Sequence, residues 1–407
     1  MDRCVPRSFC GAQYTRPTLA NPIRHRGTSA IYLVVALVIL NSIAQRGSKV
    51  AVSLYALDLG AGAAEVGILA ALFALFPLLL AVQVGRISDR YGVRLPIAAG
   101  SVAMAAGLLL PLLQPSAGGS LAALFLCPAL IGLGHIFFHV SVHSLVGSLG
   151  DAAERTKNFS TFALGGSIAA FIGPSAAGFA IELAGYRTAF AVLAVAAALP
   201  CLYVLVHRGL IPHRSHPREE ETGGSAMDLL AIPALRRTLI MSGVALTGIE
   251  LFSFYLPIYG RAIGLAPSTI GMILSSYALA GFAVRVVMHR LAERFTEVGV
   301  LTGSLFIAAV AYLAIPSLSE ATLLAVAAFA LGLALGSAQP LTIILTYNQA
   351  PAGRSGEALG MRIMANKVTQ IAVPLAFGGM GAAMGAAPVF LATGAFLLAA
   401  GVISLRS

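Results

Sequence analysis

Twelve stretches of about twenty mostly apolar residues follow one another along this chain, and each matches the roughly 30 Å core of a bilayer at about 1.5 Å of helix per residue. The stretches are 30–56, 64–84, 95–114, 120–148, 157–183, 187–207, 236–260, 267–289, 298–316, 320–349, 358–383 and 386–405. Each is expected to be a helix, because lipid cannot satisfy an open strand edge. Gly and Pro recur inside them, which membrane helices tolerate. Of the 407 residues, 58% are hydrophobic and only 10% charged, whereas soluble domains carry about one quarter charged residues. A soluble fold of this length cannot hide that much apolar surface. The expected class is therefore all-α and integral to a membrane.

The longest polar segment, 208–235, divides the spans six and six. It holds Arg208, His213, Arg214, His216, Arg218 and Glu219–Glu221, then Gly223-Gly224, and reads as a linker. The expected organisation is a tail over 1–29, a six-helix bundle over 30–207, the linker over 208–235 and a second bundle over 236–407. The halves resemble each other. Asp89-Arg90 is matched by Glu293-Arg294, 204 positions on, and Arg155 by Arg354; Pro174 and Gly178 are matched by Pro374 and Gly378, 200 positions on. A near-constant offset points to a duplicated, pseudo-symmetric pair of bundles.

The net charge of +10 would suit a nucleic-acid partner if it were clustered on a soluble face. Assigned to the spans, however, about twenty Lys/Arg fall on one side of the membrane, about two (Arg187 and Arg261) on the other and about four within spans. That is a positive-inside pattern. It explains the basicity without nucleic acid and puts both termini in the cytoplasm. The four Cys (Cys4, Cys10, Cys127 and Cys201) form no disulfide framework. The first apolar run has no small-residue cleavage pattern and is followed by many more, so no removed signal peptide is expected. No Walker loop or Gly-x-Ser-x-Gly elbow is present, so neither an ATP-driven pump nor an enzyme is expected, and no cofactor or metal.

Between the second and third spans lies Gly85-Arg86-Ile87-Ser88-Asp89-Arg90-Tyr91-Gly92-Val93-Arg94. It resembles the signature loop of the major facilitator superfamily, G-x-x-x-D-R-x-G-x-R. Gly85 would allow close helix approach, Gly92 a tight turn, and Asp89 would accept hydrogen bonds from a helix N-terminus or an Arg. Arg90 and Arg94 would hold the loop at the cytoplasmic face. The resemblance implies a gate brace at Gly85, Asp89, Arg90, Gly92 and Arg94. It also implies two six-helix bundles around a midplane cavity, worked by alternating access. The second copy keeps Glu293-Arg294 but not the glycines. Within 157–183, Gly173-Pro174-Ser175-Ala176-Ala177-Gly178 resembles the G-P-x-x-G-G motif of the family's antiporter branches, with Ala177 in place of a Gly. Gly173, Pro174 and Gly178 thus imply export. The stretch Cys127-Pro128-Ala129-Leu130 lacks the Arg that many proton antiporters of the family carry early in the fourth span.

The substrate-site candidates are charged or polar residues inside spans, which default to functional roles. Arg46, Lys49, Arg285 and Lys367 are four bases set against one acid, Glu250. Unpaired cations in lipid are costly, so a carboxylate, phosphate or sulfonate on the substrate is expected to supply the missing charge, with Arg suited to bidentate capture. Glu250 either titrates for proton coupling or is a fixed partner of Arg46 or Arg285. His135, His139 and His143 form a stripe at steps of four. They would contact substrate, relay protons, ligate a metal or pack structurally. Asn348 joins the candidate site, with Asn41, Gln45, Tyr255, Gln339, Asn366 and Gln370 as further cavity polars. The reading expected from these residues is a monomeric exporter of a small, anionic or drug-like molecule in a bacterial inner membrane, coupled to protons. A proton-symport importer of an organic acid is one alternative, and a transporter-like sensor or assembly protein another.

Overall fold

The computed structural model describes residues 22–113, 121–148, 152–206, 226–351 and 354–405. The expected tail up to residue 21 lies outside the described residues, as do linker residues 207–225 and the side chain of Asp89. Among the described residues every regular element is helical: α1 (Pro22–Asp58), α2 (Ala63–Tyr91), α3 (Arg94–Leu109), α4 (Leu121–Ser148), α5 (Ala152–Val206), a short α6 (Ala226–Leu229), α7 (Pro233–Ala262), α8 (Pro267–Phe295), α9 (Glu297–Ala314), α10 (Ala321–Gly336), α11 (Ala338–Gln349), α12 (Ser355–Met384) and α13 (Ala386–Leu405). α1 starts at Pro22, inside the stretch expected as tail; Pro suits a first helical position because its missing N–H has no partner there.

Among the described residues, ten helical stretches are long and apolar enough to cross a bilayer. One of them, Ser160–Val206, runs for 47 residues, about 70 Å of helix, and breaks at Gly185, where φ is 78°. α12 is not among the ten, because Arg362, Asn366, Lys367 and Gln370 dilute its apolar character. Dividing Ser160–Val206 at Gly185 and counting α12 would give the expected twelve. Large apolar side chains such as Val195, Val326 and Ile403 are exposed, the outward apolar surface a lipid solvent requires and water would penalise.

The duplication is visible in the backbone. Left-handed turns at Gly60 and Gly92 recur at Gly264 and Thr296, 204 positions on, and the turn at Gly185 recurs at Gly385, 200 positions on. The Arg90 guanidinium lies over the Tyr91 ring at 5.4 Å, and Arg294 over Phe295 at 5.5 Å. The second copy of the signature loop has lost its glycines yet keeps the glycine conformation: Thr296 sits at φ 62°, ψ 159°, a region nearly closed to β-branched residues. Its hydroxyl accepts a hydrogen bond from the Gly299 N–H at 3.2 Å and caps α9. The strain costs on the order of 1–3 kcal/mol, while exchanging a Thr cap for Gly costs only a few tenths. Thr296→Gly is therefore expected to raise stability by about 1 kcal/mol, read as a higher unfolding midpoint in detergent; a lower midpoint would show that the cap outweighs the strain.

The bundles meet along two symmetry-related seams. On one, α5 packs on α8: an added Cβ at Gly271 would stand 2.5 Å from the Pro174 carbonyl, and one at Gly178 would strike the Pro267 carbonyl. On the other, α12 packs on α2: a Cβ at Gly67 would stand 2.5 Å from the Pro374 carbonyl, and one at Gly378 3.0 Å from that of Ala63. Polar contacts reinforce this end. Ser175 and Ser275 share a hydrogen bond at 2.7 Å, the Ser268 N–H donates to Glu182 at 3.2 Å, and Arg261 pairs with Asp58 at 2.5 Å. Tyr186 donates to the same Asp58 at 2.7 Å. All of these lie toward the turns at Gly60, Gly185 and Gly264, away from the Asp89 loop.

Candidate functional site: a basic cavity between the bundles

Beyond that seam the bundles part around a cavity of about 600 Å³, walled by α1, α5, α7, α8, α10, α11 and α12. Five bases reach its wall, Arg46, Lys49, Arg285, Arg362 and Lys367, against one acid, Glu250. Gln45, Gln339, Asn366 and Gln370 supply neutral polar groups, and Tyr277, Phe282 and Ile249 an apolar part.

Glu250 is held across the bundle boundary. Its Oε2 lies 3.6 Å from Lys49 Nζ, and its Oε1 accepts from Gln370 Nε2 at 3.1 Å. Lys367 Nζ in turn donates to Gln370 Oε1 at 3.0 Å. The ion-pair partner is thus Lys49, not Arg46 or Arg285, because Arg285 is drawn elsewhere. Its Nε donates to the Gly336 carbonyl at 3.1 Å, and its Nη1 lies 3.4 Å from Ser167 Oγ across the boundary. The chain itself explains that anchor. In a continuous helix the Gly336 carbonyl would accept from the N–H of residue 340, but Pro340 has none. The bend between α10 and α11 leaves a free acceptor, and Arg285 takes it.

Arg362 is only 4% exposed. Its guanidinium donates to Gln339 Oε1 at 2.6 Å, to the Gln339 carbonyl at 3.1 Å and to Thr342 Oγ1 at 2.9 Å. It fastens α12 to the bent start of α11. Sequence reasoning passed over Arg362, as it did Glu182, although both fall inside expected spans. The available signal was Arg362's position five residues into 358–383.

Arg46 differs from the other bases. Among the described residues it has no hydrogen bond and no ion pair, and it is exposed into the cavity. Electrostatically it feels repulsion from Arg285 and attraction from Glu250. Gly173 sets its position: a Cβ there would lie 3.0 Å from Arg46 Cβ and 3.1 Å from the Ile43 carbonyl. The span 5 motif therefore faces two ways, with Gly173 against α1 and Pro174 and Gly178 against α8.

The histidine stripe stands beside this cavity, not among its lining residues. His135 and His139 ring centroids are 5.1 Å apart, His139 and His143 are 4.3 Å apart, and Phe162 lies edge-on to the last two at 5.9 and 4.5 Å. His135 is within electrostatic reach of Lys367, Arg46 and Lys49. Among the described residues no group of three or more His, Cys, Asp or Glu could hold a metal ion. Asn348 is exposed on α11, outside the cavity wall. Tyr255 is buried, with its hydroxyl donating to the Phe377 carbonyl at 2.5 Å, and Asn41 is fully buried with its amide atoms unpartnered among the described residues. In the signature loop Gly92 makes the turn at φ 79°, and Arg94 opens α3 with its Nε buried and without a partner among the described residues. A Cβ at Gly85 would meet nothing within 4 Å, so close approach to a described neighbour is not what this glycine provides.

A comparison with curated protein sequences finds no match. Among solved structures, a peptide transporter of the POT type in complex with sulfate matches at 17% identity, TM-score 0.77, over 96% of this chain and 95% of that one. A bacterial homologue of the human lysosomal transporter Spinster, inward-facing and unoccupied, matches at 16% identity, TM-score 0.78, over 95% and 97%. The nucleoside transporter NupG matches at 14% identity, TM-score 0.73, over 92% and 99%. At such identities the likeness is one of fold. The family model described as Major Facilitator Superfamily fits the chain twice, over residues 34–264 and again over 238–406. The chain thus belongs to the major facilitator superfamily and is a multi-pass membrane transporter, not an enzyme.

Proposed function

We propose that this transporter carries a small organic anion across the bilayer by alternating access, coupled to protons through Glu250. The observation that carries the reading is the charge of the cavity wall, five bases against one acid. In a medium of low dielectric such an excess is costly unless an anion enters. Arg46 is the primary substrate contact, with Arg285, Lys49 and Lys367 completing the site. Glu250 bridges the bundles through Lys49 and Gln370; protonating it would loosen a contact that ties α1 to α7 and α12, which links its titration to movement of the bundles. His135 lies within electrostatic reach of Lys367, Arg46 and Lys49, and His139 and His143 continue the stripe along α4. The 85–94 loop braces one access state through Asp89, Arg90 and Arg94. The span 5 motif favours export, a proton-symport importer being the second reading. The distribution of Lys and Arg favours cytoplasmic termini in a bacterial inner membrane.

The test is proton movement in everted vesicles energised to an acid interior, challenged with organic anions and with cationic drugs. Anions are expected to dissipate the gradient with wild type and to fail with Arg46→Gln and Glu250→Gln. A response to cations alone would refute the anion reading. An anion response that survives in Glu250→Gln would remove that residue from coupling.

A further inference from the structure

The bases on the cavity wall are not equivalent once their partners are counted. Lys49 has a carboxylate, Glu250. Arg362 is turned into the α11–α12 contact, with three neutral acceptor atoms around its guanidinium. Besides Arg362, three cations meet no acid among the described residues: Arg46 with no partner, Arg285 with a carbonyl and a hydroxyl, and Lys367 with an amide oxygen. They are divided between the bundles, with Arg46 on α1 and Arg285 and Lys367 on α8 and α12. Arg46 and Arg285 are close enough to repel, and His135 lies within reach of both Arg46 and Lys367.

A monoanion bound here would compensate one of these three cations and leave the other two without a counter-charge. A ligand bearing two separated anionic groups compensates both sides at once. One end sits between Arg46 and Arg285, where an unengaged guanidinium offers paired donors. The other meets Lys367. On the same wall Tyr277, Phe282 and Ile249 present an apolar surface, which suits a hydrocarbon or aromatic body and disfavours a bare inorganic ion. At about 600 Å³ the cavity has room for such a ligand with some water. Glu250 is already engaged by Lys49 and Gln370, so a ligand ammonium has no free counter-charge, which argues against a zwitterion.

We infer that the substrate is an organic dianion, two carboxylates or a carboxylate and a phosphate on a short apolar body, held with one anionic group between Arg46 and Arg285 and the other on Lys367. The inference rests on the anion reading above and narrows it. A dianion so held ties α1 to α8 and α12.

The experiment uses the full-length purified protein in detergent, with ligand-induced shift of the unfolding midpoint and calorimetric titration as readouts. The probes are succinate, glutarate, adipate and phthalate, matched to butyrate, hexanoate and benzoate, with inorganic phosphate and glycylglycine as further arms. Dicarboxylates are expected to stabilise the protein and at least one to bind about ten-fold or more tightly than its matched monocarboxylate. In Arg46→Gln and in Lys367→Gln that preference is expected to fall to near unity. The preference is a ratio within one variant, so a merely less stable protein does not mimic the result, and Arg46→Lys is expected to retain part of it. Monocarboxylates binding as tightly as dicarboxylates would overturn the dianion and leave the anion reading standing. Tighter binding of glycylglycine would overturn it in favour of a zwitterion that recruits Glu250. Tighter binding of phosphate than of any dicarboxylate would overturn the two-ended ligand in favour of a compact ion. If no anion binds, both this inference and the anion reading fall.

Discussion

Gly178→Val is expected to lower transport by about ten-fold or more by forcing the bundles apart at the Gly60–Gly264 end. The reason is what surrounds the added atoms. A Cβ at Gly178 meets the Pro267 carbonyl, the Pro267 carbonyl carbon at 3.0 Å and Ser268 Cα at 3.1 Å. All three are backbone atoms of the first turn of α8, and none can rotate away as a side chain could. Overpacking of this kind costs about 1–3 kcal/mol. Here that cost falls selectively on the conformer in which α5 and α8 touch, so its population falls by a factor of roughly five to 150. Bifunctional cross-linking between Asp58→Cys and Arg261→Cys, which replace the ion pair at this end, reads the separation directly. It is expected to slow in Gly178→Val. Gly166→Val on the same helix, where a Cβ meets nothing within 4 Å, is the control and should leave the rate as it was. Equal rates in both variants would show that the seam gives way without cost.

Gly173→Val should weaken anion binding by about ten-fold although it alters no group that touches the ligand. Its Cβ would press on Arg46 Cβ at 3.0 Å, on the Ile43 carbonyl at 3.1 Å and on the Gly47 nitrogen at 3.3 Å. Both helices are already in close contact, because a Cβ at Gly47 would in turn meet the Gly173 carbonyl at 3.0 Å. α1 must slide or tilt, and the unpartnered guanidinium moves with it. The expected signature is a raised KM for anion uptake with a smaller change in kcat, since the loss lies in binding. Gly173→Ala should fall between wild type and Val. A fall in kcat alone, with KM unchanged, would place the effect of Gly173 on bundle movement and not on Arg46.

The broad architecture was legible because lipid imposes few solutions. Apolar runs of bilayer length must be helices, and the offsets of 204 and 200 seen in motifs reappear as left-handed turns. The cavity charges were legible for the same reason, since Arg46, Lys49, Glu250, Arg285 and Lys367 stand out in apolar surroundings and all five reach the cavity wall. What escaped depends on facing and on partners. Arg362 sits near the start of its span, where a long side chain could snorkel to the interface; what holds it instead is Gln339 and Thr342 on another helix, a contact no spacing within α12 encodes. The pairing of Glu250 with Lys49 is a contact between bundles, which no spacing within one helix encodes. His135, His139 and His143 do share a helix face, but periodicity says nothing about what that face meets. Asn348 was chosen for polarity alone and is exposed on α11.

The uneven charge of the cavity wall has an electrical consequence. When the carrier reorients, the membrane field falls across a different part of the protein, and charges fixed at the site change their electrical depth. Five bases and one acid leave the empty carrier formally positive by four, so its reorientation carries charge and its resting state is biased toward the electrically negative compartment. Each full charge moved through 100 mV is worth about 2.3 kcal/mol. A bound dianion halves that excess, so the loaded carrier moves less charge than the empty one. Voltage therefore acts chiefly on the return step, and pre-steady-state currents in proteoliposomes without substrate should be larger than those at saturating anion.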